Sequence, residues 1–105
     1  METVKSTNTF KEFINGKKIL LGYFYADWCA PCKAMDPILE ELDQNMEGIT
    51  IIKIDAEKKV ALTITYQVKG IPTLILFKNG REEWRHTGPV AARDLKTTLD
   101  VYESL

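Results

Sequence analysis

Residues 19–33 read Ile19-Leu20-Leu21-Gly22-Tyr23-Phe24-Tyr25-Ala26-Asp27-Trp28-Cys29-Ala30-Pro31-Cys32-Lys33. The first eight form a nearly continuous apolar run, which suits a strand covered on both faces. Proline is preferred in the first turn of a helix, so Pro31 marks a helix start. From there Met35, Ile38, Leu39, Leu42 and Met46 fall on one helical stripe that stops at Glu47-Gly48. A buried strand therefore turns directly into an amphipathic helix, with both cysteines of the chain at the junction.

The pattern continues outward from this unit. Ile49–Asp55 is rich in isoleucine and reads as a second buried strand, and Lys58–Gln67 reads as a weaker helix with Val60 and Ile64 one turn apart. Pro72–Phe77 is a strand opened by proline, Lys78-Asn79-Gly80-Arg81 a hairpin turn, and Glu82–Thr87 an alternating edge strand. After Gly88-Pro89, Leu95, Leu99 and Tyr102 mark a C-terminal helix. On the N-terminal side, Phe10, Phe13 and Ile14 define a short helix over Thr7–Asn15, and a short strand near Val4 can precede it. The order α-β-α-β-α-β-β-α predicts an α/β fold. Its sheet is expected to be mainly parallel, covered by helices on both faces and finished by an antiparallel hairpin.

A chain of 105 residues fits one domain, spanning 1–105, and can bury a single core. With 45% hydrophobic and 28% charged residues and a formal net charge of -1, nothing in the balance points to nucleic acid or a membrane surface. The N-terminal METVKSTNTF lacks the apolar core of a signal peptide, and no run approaches the roughly 18 residues needed to span a bilayer. A cytoplasmic location is the expectation, although a mature secreted form with an added Met1 reads the same way. A monomer is the default.

Cys29 and Cys32 can be a staple, a metal clamp or a reagent. A four-residue loop closed by a disulfide gains only about 2 kcal/mol in the chain-entropy model. Structural zinc normally takes four protein ligands, and besides two thiols the chain has a single histidine, His86, in the edge strand. The third reading has positive support. At a helix N-terminus, unpaired N–H groups and the macrodipole stabilise the thiolate of Cys29, the form that attacks a disulfide. Cys32, three residues on and on the same face, can resolve the resulting mixed disulfide. Trp28 adds an apolar shoulder and Lys33 a nearby positive charge.

Over nearly its whole length the chain resembles the thioredoxin family. The likeness rests on Trp28-Cys29-Ala30-Pro31-Cys32-Lys33, on Pro37, on Gly70-Ile71-Pro72-Thr73, on Phe77-Lys78-Asn79-Gly80 and on Thr87-Gly88. It implies the thioredoxin fold, a central mixed sheet of four to five strands flanked by helices on both faces. It also implies a cis proline at Pro72 lying against the cysteines, which leaves the Ile71 backbone free for a substrate chain. Pro37 resembles the family's kink in the active-site helix, and Gly88 the glycine that a substrate backbone approaches. The implied activity is protein-disulfide reduction, with Cys29 attacking and Cys32 resolving. Trp28, Ala30, Pro31, Ile71, Pro72, Thr87 and Gly88 would surround the sulfurs as a docking surface. No bound cofactor is implied beyond the Cys29–Cys32 disulfide. The implied partners are disulfide-bearing proteins and a thioredoxin reductase, either a flavoprotein or a ferredoxin-linked one. Two rivals are a disulfide oxidase or isomerase of an oxidising compartment, and a redox-inert binding module of a larger assembly.

The sequence departs from the family's pattern in three places. Ala30 stands where glycine is usual. Tyr23 occupies the position of the family's buried aspartate, which helps take the proton of the second cysteine. Ile51 aligns with the lysine that often partners that aspartate. The joint loss is coherent, because a lone buried charge is costly. Asp36 lies one turn beyond Cys32 on the same helical face, where it can replace the missing carboxylate through a water. The alternative is a solvated Asp36, with solvent taking the Cys32 proton. Asp27 is expected to face solvent, and Trp84 and His86 to be surface residues of the edge strand. The buried hydroxyl of Tyr23 needs a partner.

Overall fold

A computed structural model describes residues 1–105. Strand β1 (Glu2–Thr3) leads to helix α1 (Thr7–Gly16), which is capped where the Ser6 hydroxyl accepts the Thr9 N–H at 3.1 Å. Strand β2 (Ile19–Tyr25) and helix α2 (Ala30–Asn45) follow, then strand β3 (Thr50–Asp55) and helix α3 (Val60–Thr65). Strands β4 (Thr73–Lys78) and β5 (Arg81–Thr87) form the hairpin, and α4 (Ala92–Ser104) closes the chain. The hairpin turn holds Asn79 and Gly80 at φ 52° and 83°, the left-handed pair that a tight two-residue turn requires.

The five strands lie in the order β1-β3-β2-β4-β5. The sheet is mixed, as the family resemblance implied, and not mainly parallel, as periodicity alone suggests. β1–β3 and β3–β2 are parallel, whereas β2–β4 and β4–β5 are antiparallel. After β3 the chain passes through the six-residue α3, and β4 starts at the end where β3 stops, pairing Thr73 with Phe24, and runs the opposite way. Periodicity stretches this helix over Lys58–Gln67 and carries no information on which end of the sheet the next strand enters.

Because side chains alternate along β2, the sheet carries two separate cores. Leu20, Phe24, Ile52, Ile54 and Ile75 pack against Phe10 and Ile14 of α1 and Leu62 of α3. Ile19, Leu21, Tyr23, Ile51 and Leu74 pack against Met35, Leu39 and Leu42 of α2 and Leu95 and Leu99 of α4. Cys29 and Cys32 belong to the second core. Trp84, expected at the surface, is half-buried against that core and stacks on His86 with centroids 6.0 Å apart. β5 is an edge in its hydrogen bonding, but one of its faces still looks into the α2–α4 layer. No helix is long and apolar enough to cross a membrane.

Candidate active site

The junction of β2 and α2 places both sulfurs. After β2 the chain turns through Ala26–Trp28, with the Cys29 N–H donating to the Ala26 carbonyl at 3.2 Å. Helix α2 begins at Ala30, one residue earlier than the proline signalled, so Pro31 occupies its first turn. Cys29 is the N-cap: its sulfur accepts the backbone N–H of Cys32 at 3.2 Å, and its carbonyl accepts the N–H of Lys33 at 3.1 Å. The two sulfurs are joined as a disulfide, with the Cα atoms 5.2 Å apart. Cys29 and Cys32 are 3% and 1% exposed, so the pair is reached only across the surface beside it. On reduction, the N–H that now points at Sγ of Cys29 would favour the thiolate.

That surface is an open groove of about 580 Å³. Trp28, Cys29, Ala30 and Pro31 form one side of it and Ile71 the other. Trp28 stands 69% exposed at the rim. Sequence reasoning missed the far wall, built by Ala56, Glu57, Thr63, Val68 and Lys69, because those residues come from the turn before α3, from α3 itself and from the loop after it, and meet only in the folded chain. The Ile71–Pro72 peptide is cis, as the family resemblance implied. Neither the N–H nor the carbonyl of Ile71 has a partner within the chain. Pro72 is buried, and its carbonyl accepts the N–H of Gly88 at 2.8 Å. The Thr87 and Thr73 hydroxyls meet at 3.2 Å. Thr87 and Gly88 thus join the site through Pro72 and Thr73 and do not line the groove. Gly88 has φ +100°, and a side chain there would meet open space, so its backbone angle accounts for the glycine. Lys33 and Asp27 are exposed, and neither forms an ion pair.

Behind the sulfurs, Tyr23 is fully buried and its hydroxyl meets two partners, the Cys32 carbonyl at 2.8 Å and Asp36 Oδ1 at 2.9 Å. Burial, followed by the neighbouring Asp36 carboxylate, pushes the Tyr23 phenol well above the usual tyrosine range. Tyr25, half-buried, is also raised, first by burial and then by Asp55, Asp27 and Asp36. Position 51 is a buried isoleucine, yet a lysine still reaches this region. Lys53, opposite Tyr23 in the β2–β3 register, lies 3.9 Å from Asp36 Oδ1 and 4.3 Å above the Tyr25 ring. The two-residue alternation of a strand, applied from Ile51, puts residue 53 on the same face and was the signal available for it.

No three His, Cys, Asp or Glu side chains converge as metal ligands. The larger hollow of the molecule, about 830 Å³, lies between the end of α2 and α4 and touches neither cysteine.

The family sequence model described as Thioredoxin matches residues 2–101. A thioredoxin-like protein of Synechocystis is 38% identical over 104 residues, covering 97% of this chain and 99% of that protein. A thioredoxin of Chlamydia trachomatis is 40% identical over 88 residues, covering 84% and 85% of the two chains. Chloroplastic thioredoxin Y2 of Arabidopsis thaliana is 41% identical over 95 residues; these cover 89% of this chain but 57% of that longer protein. Among solved structures, a point variant of the thioredoxin of Halobacterium salinarum superposes with a TM-score of 0.93 at 31% identity, covering 99% and 91% of the chains. The thioredoxin of Plasmodium falciparum superposes at 0.91 with 26% identity, covering 97% and 99%.

Proposed function

The chain belongs to the thioredoxin family, and from that premise we propose that its dithiol/disulfide exchange runs in the direction of protein-disulfide reduction. The exchange centre is the Cys29–Cys32 pair, working through its own disulfide. The Cys29 thiolate attacks one sulfur of a substrate disulfide and expels the other as a thiolate. Cys32 then attacks the Cys29 sulfur, releases the second substrate thiol and leaves the oxidised pair. The observation that carries this reading is the helix-capping sulfur of Cys29, lying beside a groove whose far side presents the unpaired backbone of Ile71.

The substrate is a protein segment bearing a disulfide. Trp28, Ala30, Pro31 and Ile71 offer it apolar contact, and the free N–H and carbonyl of Ile71 offer it backbone hydrogen bonds. Pro72 holds that backbone from behind Ile71, and Gly88 and Thr87 support Pro72 and Thr73 through their hydrogen bonds. The chain acts as a monomer in the cytoplasm, where thiols are kept reduced. Electrons come from a thioredoxin reductase, either a flavoprotein or a ferredoxin-linked enzyme.

The decisive measurement is the reduction potential of the pair against a glutathione or dithiothreitol buffer. A value near about −270 mV, typical of a reducing thioredoxin pair, drives reduction of ordinary protein disulfides; a value near about −120 mV drives their formation and would overturn the proposal. A companion Cys32→Ser chain should accumulate mixed disulfides with protein substrates through Cys29. Their absence would point to a redox-inert binding module.

A further inference from the structure

The Tyr23 phenol has one hydrogen but touches two acceptors, the Cys32 carbonyl and Asp36. A carbonyl and an ionised carboxylate both only accept. With Asp36 ionised, the single hydrogen serves one of them at a time. With Asp36 protonated, the carboxyl donates to the phenol oxygen, and the phenol hydrogen turns to the Cys32 carbonyl. Both short contacts are then full hydrogen bonds. One rotation of a hydroxyl therefore accommodates either state of the carboxylate without moving a heavy atom. Lys53 Nζ, 3.9 Å from Asp36, faces the ionised state.

We propose that Tyr23, Asp36 and Lys53 together form the proton-accepting unit for Cys32, in place of the family's buried aspartate. The proposal rests on the reductase reading and concerns its second step. As the Cys32 sulfur forms its bond to Cys29 and the Cys29–substrate bond breaks, the Cys32 proton passes through one water to Asp36, one helical turn on. The substrate leaves as a thiolate. Asp36, with its side chain 40% exposed, returns the proton to that thiolate or to solvent, so no electrons are needed beyond those of the exchange. Tyr23 and Lys53 are positioning residues. Tyr23 fixes the carboxylate against the turn that holds Cys32, and Lys53 balances its charge. The buried hydroxyl is thereby explained: phenylalanine would fill the same space in this core, but could not hold Asp36.

The test separates the two steps. An aromatic disulfide whose released thiolate is coloured is mixed with the fully reduced protein in a stopped-flow instrument. The fast phase reports attack by Cys29, and the second phase reports resolution by Cys32. The surrounding titratable and charged groups are Tyr25 of β2, Lys53 and Asp55 of β3, and Asp27 in the turn before Cys29. All are retained in an Asp36→Asn chain. That chain should attack at the wild-type rate but resolve about a hundredfold more slowly at neutral pH, the low end of what a positioned base contributes. Its resolution rate should recover as pH rises and solvent takes over the proton. Tyr23→Phe should slow resolution about tenfold, and the double variant should be no slower than Asp36→Asn alone, because both act through the same unit. Rate–pH profiles of Asp36→Asn and wild type that superimpose would overturn the proposal while leaving the reductase reading standing. A wild-type protein that shows no first phase would overturn both.

Discussion

The two faces of the sheet are built from similar residues yet put them to different uses. Against α1 and α3, Phe10 meets Phe24, Tyr66 and Phe77 edge-on at centroid distances of 6.3, 5.2 and 5.8 Å, and the layer is closed by aliphatic side chains. Against α2 and α4 the layer is equally buried, but it contains two sulfurs and a phenol whose hydroxyl is hydrogen-bonded. No buried side-chain polar atom in the molecule lacks a partner. The redox pair and the buried phenol thus lie on one face, while the other face supplies mainly dispersion and hydrophobic burial, its buried Thr73 hydroxyl paired locally with the Gly70 carbonyl and the Thr87 hydroxyl. A reactive pair set in a core needs a fold that remains stable without it, and the Phe10 layer supplies that stability.

If the faces divide the work in this way, substitutions should separate activity from stability. The largest contrast is between Cys29→Ser and Phe10→Ala. The serine chain should lose disulfide reduction to background, yet unfold at nearly the same denaturant concentration as the reduced wild type. The alanine chain should lose about 3–5 kcal/mol of stability, because three ring contacts vanish around a fully buried side chain. Its folded fraction should still reduce disulfides at the wild-type rate. Specific activity falling in step with stability in Phe10→Ala would show that the two layers are mechanically coupled and would break the comparison.

Trp28→Ala sharpens it at a smaller scale. The ring is mostly exposed at the groove rim, so stability should stay within about 0.5 kcal/mol. Reduction of a folded protein disulfide should slow several-fold, while a small aromatic disulfide, which needs no groove, should react unchanged. Equal slowing of both substrates would mean that Trp28 acts on the sulfurs and not on docking.

Much of this is legible in the sequence. Strand–turn–helix at residues 19–33 follows from an apolar run meeting a proline, and the hairpin at Asn79-Gly80 from two residues that tolerate positive φ. The direction of β4 is not legible. Hydrophobic periodicity locates an element but carries no information on which end of the sheet the chain enters next, and that is settled only by tertiary closure. Within the site, Cys29 stands out from its spacing and its helix start. Lys53 does not, since comparison with the family draws attention to position 51, while its approach to Asp36 depends on strand pairing with β2. The groove wall at Ala56, Thr63 and Val68 is likewise a product of tertiary folding with no local pattern. Tyr23 reads from the strand pattern as a buried hydroxyl in need of a partner, but nothing local shows that it has two.

The smallest predicted effect compares one tyrosine from each face. Tyr66, packed on Phe10 and Phe77, is raised above the ordinary tyrosine range by burial alone. Tyr23 is raised by burial and also by the Asp36 carboxylate beside it. In both cases the folded state holds the proton more tightly than the unfolded chain, which releases it near pH 10. The stability each contributes is fully present below that pH and declines as pH rises toward the folded value, where the unfolded state binds fewer protons. Denaturant unfolding followed from about pH 9 to pH 12 should therefore show stability falling with pH in the wild type. Tyr66→Phe should make that slope slightly shallower and Tyr23→Phe distinctly more so, because a charge on Tyr23 meets a neighbouring carboxylate as well as desolvation. Asp36→Asn should move the Tyr23 contribution toward that of Tyr66, since burial is then the main cause left on both faces. If Tyr66→Phe flattens the alkaline slope as much as Tyr23→Phe does, the carboxylate adds nothing to the buried phenol, and the electrostatic distinction between the two layers fails at the residue where it is most sharply drawn.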